Sequence, residues 1–125
     1  MSLDAIGIVC RDLAKSVQFY GHFALDFQEV GGPDHLEAKT STGLRLMLDS
    51  ETLMKKLNPK WQRGANTGMV LCFKQEKAES VDKLVAEIVG DGFSVVKDPW
   101  DAFWGQRYSS VLDPDGNQVD IFADQ

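Results

Sequence analysis

The chain has 125 residues and a mass of 13.9 kDa, with 43% hydrophobic and 26% charged residues. That size and balance suit one ordinary globular domain and exclude a disordered tail, a collagen-like chain and a small disulfide scaffold. The net charge of −6 is unevenly placed, −1 over residues 1–62 and −5 over residues 63–125, which is the wrong sign for a nucleic-acid or anionic-membrane surface and suits either ordinary acidic solubility or a cationic ligand.

Taken in chain order, Ile6 to Cys10 reads as a strand, and Asp12 stands where an acidic side chain favours a helix start. Leu13, Val17, Tyr20 and Phe23 or Ala24 then recur at helical spacing. Asp26 to Val30 is extended, and Gly31-Gly32-Pro33 is a turn. His35 to Thr40 is a strand, closed by the tight turn Ser41-Thr42-Gly43. In the strand after it, Leu44, Leu46 and Leu48 face one way and Arg45, Met47 and Asp49 the other. Glu51 to Lys56 is a short helix, and Asn58 to Asn66 a connecting segment with Pro59 and Gly64. The longest apolar run, Met69 to Phe73, is a strand and far too short to span a bilayer. Val81, Leu84, Val85 and Ile88 predict a second amphipathic helix, ended by Gly90-Asp91-Gly92. Gly92 to Val96 is extended, Trp100, Phe103 and Trp104 fall in a loop, and Gln106 to Leu112 and Gln118 to Phe122 are strands. Asp113-Pro114-Asp115-Gly116-Asn117 joins those two, with proline and glycine supplying the turn geometry.

The order repeats. Asp12-Leu13-Ala14-Lys15-Ser16-Val17 aligns with Glu76-Lys77-Ala78-Glu79-Ser80-Val81, each preceded by a strand ending at a cysteine. The expected architecture is α+β: a single domain, 1–125, of two βαβββ modules (1–56 and 67–125, linker 57–66) forming a curved, mostly antiparallel sheet around a cleft. Cys10 and Cys72 belong to no CxxC pair, so they are expected to be reduced and buried. The N-terminus has no basic region before an apolar stretch, so no signal peptide is expected and the chain reads as cytoplasmic.

Two stretches carry a family resemblance. Ile6-Gly7-Ile8-Val9-Cys10-Arg11-Asp12-Leu13 followed by Ser16-Val17-Gln18-Phe19-Tyr20, and Leu112 to Phe122 around Asp-Pro-Asp-Gly-Asn, resemble the opening and ending of the vicinal oxygen chelate superfamily. That group includes glyoxalase I, extradiol dioxygenases and bleomycin-resistance proteins. The resemblance implies a divalent metal held from the first and last strands of each module. It puts those positions at Ala5, Met47, Gly68 or its neighbour Thr67, and Asp120. Only Asp120 offers an oxygen ligand, so neither a metal nor another cofactor is expected, and no catalytic residue is assigned. The nearest pattern is the bleomycin-resistance branch, whose resemblance implies a homodimer that sequesters a planar molecule, with Trp104 in the stacking position.

The expected ligand-binding residues follow. Trp104 and Trp100 stack on a planar or cationic molecule, or else cap the core, while Phe103 packs. Asp120 is an anchor for a cationic or hydroxylated group or a satisfied structural pair; Arg45 and Arg107 are its candidate partners by strand parity. Met47 fills the cleft or the core. His35 reaches the cleft mouth or faces solvent, with solvent favoured. Trp61 covers the module junction or a dimer contact. The expected function is metal-independent binding of a small organic molecule, without nucleic-acid or membrane partners. The alternative is a divergent metal-dependent lyase, isomerase or dioxygenase.

Overall fold

The computed structural model describes residues 1–65 and 68–125, and its chain divides into two compact units, Met1–Gly64 and Ala65–Gln125. The fold is α+β, with two four-stranded mixed sheets and three helices among the described residues.

The first unit runs β1 (Ala5–Cys10), α1 (Leu13–Gly21), β2 (Gln28–Glu29), β3 (His35–Lys39), β4 (Arg45–Ser50) and α2 (Glu51–Leu57). Its sheet has the order β1-β4-β3-β2, with β1 parallel to β4 and the other pairs antiparallel. Asp12 caps α1 by accepting from the Lys15 N–H at 3.1 Å, as its type and place predict. The buried stripe of α1 is rotated from the expected one. Ser16, Phe19, Tyr20 and Phe23 are buried, whereas Leu13 and Val17 are half-buried. Phe19 wins a core place because its ring meets Tyr20 edge-on at 4.9 Å and Phe23 at 5.6 Å. Leu46 and Leu48 of β4 complete this core with Cys10 and Ala38. The segment after α2 is tied down: Arg63 donates to Glu51 at 2.7 Å and to the Val9 carbonyl at 3.2 Å, and lies over the Trp61 ring.

The second unit runs β5 (Leu71–Lys74), α3 (Ala78–Gly90), β6 (Val95–Ala102), β7 (Gln106–Leu112) and β8 (Gln118–Asp124). Its sheet order, β5-β8-β7-β6, with β5 parallel to β8, repeats the first. Val81, Leu84, Val85 and Ile88 are buried, as their spacing predicts, and α3 packs on β6, β7 and β8. Val111, Val119, Ile121 and Ala123 form the sheet side of that core.

Three expectations change here. Trp100 lies in β6, not in a loop. Pro99 hides that strand in the sequence, because it lacks a donor; β6 tolerates it as an edge strand whose register shifts between Lys97 and Trp100. Phe103 does not pack into the core: it is 91% exposed in the three-residue loop Phe103-Trp104-Gly105 between β6 and β7. That loop closes with the Gly105 N–H on the Ala102 carbonyl, and Gly105 has φ +90°. Cys10 is buried, but Cys72 is exposed because β5 is also an edge strand with only β8 beside it.

Candidate ligand face

Strand alternation sorts the second unit's sheet into two faces. Arg107 marks the face toward α3, because its guanidinium holds both Asp82 oxygens on that helix at 2.9 and 3.2 Å. It also donates to Asp101 at 3.1 Å. Tyr108 and Ser110 therefore lie on the opposite face. The pairs Trp100–Tyr108, Tyr108–Phe122, Ser110–Asp120 and Cys72–Asp120 continue it across all four strands.

Aromatic rings occupy one end of this face. Tyr108 stacks on Phe122 with centroids 5.8 Å apart. The Trp104 ring stands edge-on to Tyr108 at 5.3 Å, to Trp100 at 5.5 Å and to Phe103 at 4.9 Å. Trp104 stays 48% exposed while its indole N–H donates to Gln106 at 2.8 Å, so its orientation is set with half its surface free. The Lys97 ammonium lies 4.4 Å from the Trp100 ring centroid, an attraction between a cation and the negative face of the π system.

Asp120 adjoins these rings and is 7% exposed. Its Oδ2 accepts from the Tyr108 hydroxyl at 2.7 Å, and its Oδ1 from Ser110 at 2.7 Å and Gln118 at 2.9 Å. All three donors are neutral. The expected pairing with Arg107 is corrected, because odd-numbered positions of β7 face α3. Burial, reinforced by Asp120, pushes the Tyr108 phenol well above its ordinary 10, so it stays a donor. Partial desolvation on this face also pushes the thiol of the otherwise exposed Cys72 up, with the Asp120 charge adding to it, which opposes thiolate formation.

The first unit presents a different face. Arg45, Met47 and Asp49 of β4 alternate away from buried Leu46 and Leu48, with Ala5, Gly7 and Val9 beside them on β1 and Lys39, Glu37 and His35 on β3. Arg45 holds Asp4 at 2.7 Å and Glu37 at 2.6 Å, and lies 3.9 Å from the Met47 sulfur. Arg45 is thus engaged within its own unit. His35 is half-buried rather than free in solvent: Nδ1 meets Asp49 at 2.5 Å and Nε2 meets Glu37 at 2.7 Å. The Asp49 hydrogen bond, then that of Glu37, raises its pKa above the ordinary 6.5. The His35 and Arg45 hydrogen bonds lower that of Glu37.

The four positions that the resemblance assigns to a metal can be tested by register. Met47 and Asp120 are equivalent, opposite Gly7 in β1 and Cys72 in β5 respectively. Ala5 lies two residues before Gly7, so its counterpart is Val70, two before Cys72, not Gly68; Thr67 lies outside the described residues. Neither the methyl and thioether of the first unit nor the isopropyl group and carboxylate of the second, the latter already accepting three hydrogen bonds, supplies the donor set that a divalent cation needs. Among the described residues, no group of three His, Cys, Asp or Glu side chains is arranged to hold one.

Tyr108, Ser110, Gln118 and Phe122 are the site residues that residue type alone undervalues. The signal lies in the hairpin: a turn centred on Asp115 pairs Ser110 with Asp120 and Tyr108 with Phe122.

The model of the Glyoxalase/Bleomycin resistance protein/Dioxygenase superfamily matches residues 2–121. Among solved structures, a glyoxalase-related enzyme from Fulvimarina pelagi is 19% identical, with TM-score 0.85, over 98% of this chain and 88% of that one. A glyoxalase/bleomycin resistance protein/dioxygenase family enzyme from Burkholderia phytofirmans is 22% identical, with TM-score 0.82, over 100% of both. A lactoylglutathione lyase from Agrobacterium tumefaciens is 19% identical, with TM-score 0.70, over 98% of this chain and 92% of that one. At such identities the likeness is one of fold. No curated protein matches the chain significantly.

Proposed function

The chain belongs to the glyoxalase/bleomycin resistance protein/dioxygenase superfamily, and within it we propose metal-independent binding of a small planar organic molecule that carries a positive charge. The supporting observation is the half-exposed Trp104 beside Trp100, Tyr108 and Phe122, next to a carboxylate whose three donors are all neutral. Flat rings stack on the aromatic tier. Asp120 attracts a ligand cation, because no cation among the described residues is hydrogen-bonded to it. Lys97 over Trp100 displays the same cation preference within the molecule. The setting is acidic as well: residues 65–125 hold five Lys/Arg against eleven Asp/Glu, while residues 1–64 hold eight of each.

Tryptophan fluorescence during titration with proflavine, a planar aromatic cation, tests this reading. Trp104→Ala is expected to weaken binding about tenfold, since one stacking contact contributes about 1–3 kcal/mol. An unchanged affinity would overturn the aromatic site. Thermal unfolding with added Zn²⁺, Ni²⁺, Mn²⁺ or Fe²⁺ is expected to show no stabilisation. A stoichiometric metal that raises the midpoint would favour a metal-dependent reaction instead.

A further inference from the structure

The first unit carries a chain of five ionisable side chains across its open sheet face, in the order Asp4–Arg45–Glu37–His35–Asp49. Acid and base alternate at every link. We propose that His35 is a proton-operated latch on this face: protonated, it ties Glu37 to Asp49, and deprotonated, it keeps Asp49 and releases Glu37.

Geometry carries the first half. Both ring nitrogens face carboxylate oxygens, at 2.5 and 2.7 Å. A carboxylate only accepts, so both nitrogens must donate, and only the imidazolium has two N–H groups. The surroundings agree. From β4, Asp49 faces the ring directly and Arg45 acts through Glu37. On β3 itself, Glu37 faces it and Lys39 lies further along, exposed, opposite Arg45. From β2, Gln28 stands opposite Glu37, while Glu29 pairs with Leu36 and has the other parity. The protonated form is favoured, and the pKa is raised accordingly.

The second half follows from unequal support. When the ring loses one proton to solvent, one nitrogen keeps its N–H and the other presents a lone pair to a carboxylate. Glu37 Oε1 also holds Arg45 at 2.6 Å, so Glu37 retains a partner whichever proton leaves. Among the described residues, the ring is the one hydrogen-bonding partner of the Asp49 carboxylate. Removing the Nδ1 proton would leave that carboxylate, 16% exposed, to solvent alone, whereas Glu37 keeps Arg45, so the Nε2 proton leaves. The neutral ring is then the Nδ1–H tautomer, and Glu37 Oε2 turns away from the bare Nε2. Three carboxylates stand against two cations below the transition and against one above it. The face therefore gains a negative charge and a free acceptor edge, at a place solvent reaches: His35 is 23% exposed and Glu37 19%.

Long-range ¹H–¹⁵N and ¹H–¹³C spectra of the histidine rings, recorded from pH 5 to 10 on the whole chain without added ligand, test the latch. The expected result is two protonated nitrogens at pH 7, a midpoint above 6.5, and the Nδ1–H tautomer beyond it. Asp49→Asn and Glu37→Gln are each expected to lower the midpoint. A single protonated nitrogen at pH 7, a midpoint at or below 6.5, or an Nε2–H tautomer at high pH would overturn it. The wild-type tautomer decides the matter even where a variant folds poorly. No planar probe takes part, so this result is independent of the proposed ligand.

Discussion

Single residues set two local properties that residue type alone does not reveal. Ala24 sits just after α1 with φ +57°, the one non-glycine residue in the left-handed region among those described. The side chain crowds the backbone there, at a cost of about 1 kcal/mol. Ala24→Gly is expected to leave stability unchanged or raise it by up to about 1 kcal/mol, read from the urea midpoint, because glycine removes that strain while loosening the unfolded chain. His35 makes stability depend on pH. Its folded pKa is raised, so its contribution is fully present below 6.5 and fades as pH rises through the folded value. The pKa of Glu37 is lowered, so its contribution is present above 4.5 and fades as pH falls through the folded value. The difference in urea midpoint between wild type and His35→Gln should therefore peak between pH 4.5 and 6.5. A difference that grows toward pH 9 would contradict the protonated ring.

At the scale of elements, helices α1 and α3 differ in how legible they were. Four apolar residues of α3 fall on one face at the expected spacing, and all four are buried. Truncating Ile88, which is fully buried, to alanine is expected to cost about 2–5 kcal/mol in chemical denaturation. In α1 the aromatic cluster rotated the buried stripe by choosing Phe19 over Val17. The β7–β8 hairpin was legible from Pro114 and Gly116, but its organiser is Asp113. That carboxylate accepts from the Asp115 and Asn117 backbone N–H groups, both at 2.9 Å, and from the Asn117 amide at 2.7 Å. Asp113→Ala leaves those donors without their acceptor and is expected to destabilise by about 1–3 kcal/mol. Strand β6 was only partly legible, because pairing with β7 overrides the break that Pro99 suggests. Its consequence is positional: Trp100 becomes a sheet residue opposite Tyr108 instead of a loop side chain.

For the molecule as a whole, charge separates the units more sharply than composition does. The second unit holds the acidic excess and also the aromatic face. Proflavine binding is expected to weaken several-fold between 20 mM and 300 mM NaCl, since screening shortens the reach of charge to below about 10 Å. Acridine, neutral at pH 8, should show little change between the same salts. Equal salt dependence for both probes would remove charge from the recognition.

The amino-acid order by itself determined the repeat, the βαβββ sequence within each copy and the buried face of α3. Each of these is written in local periodicity, turn chemistry or residue type. Tertiary structure alone decided the partners. It turned Arg107 toward Asp82 and away from Asp120, surrounded Asp120 with Tyr108, Ser110 and Gln118, and moved the counterpart of Ala5 to Val70. It also closed both nitrogens of His35 with carboxylates from two strands. The physical reason is register. Side-chain direction alternates at every residue of a strand, so a single step in pairing exchanges one set of neighbours for another, and only the assembled sheet specifies that step.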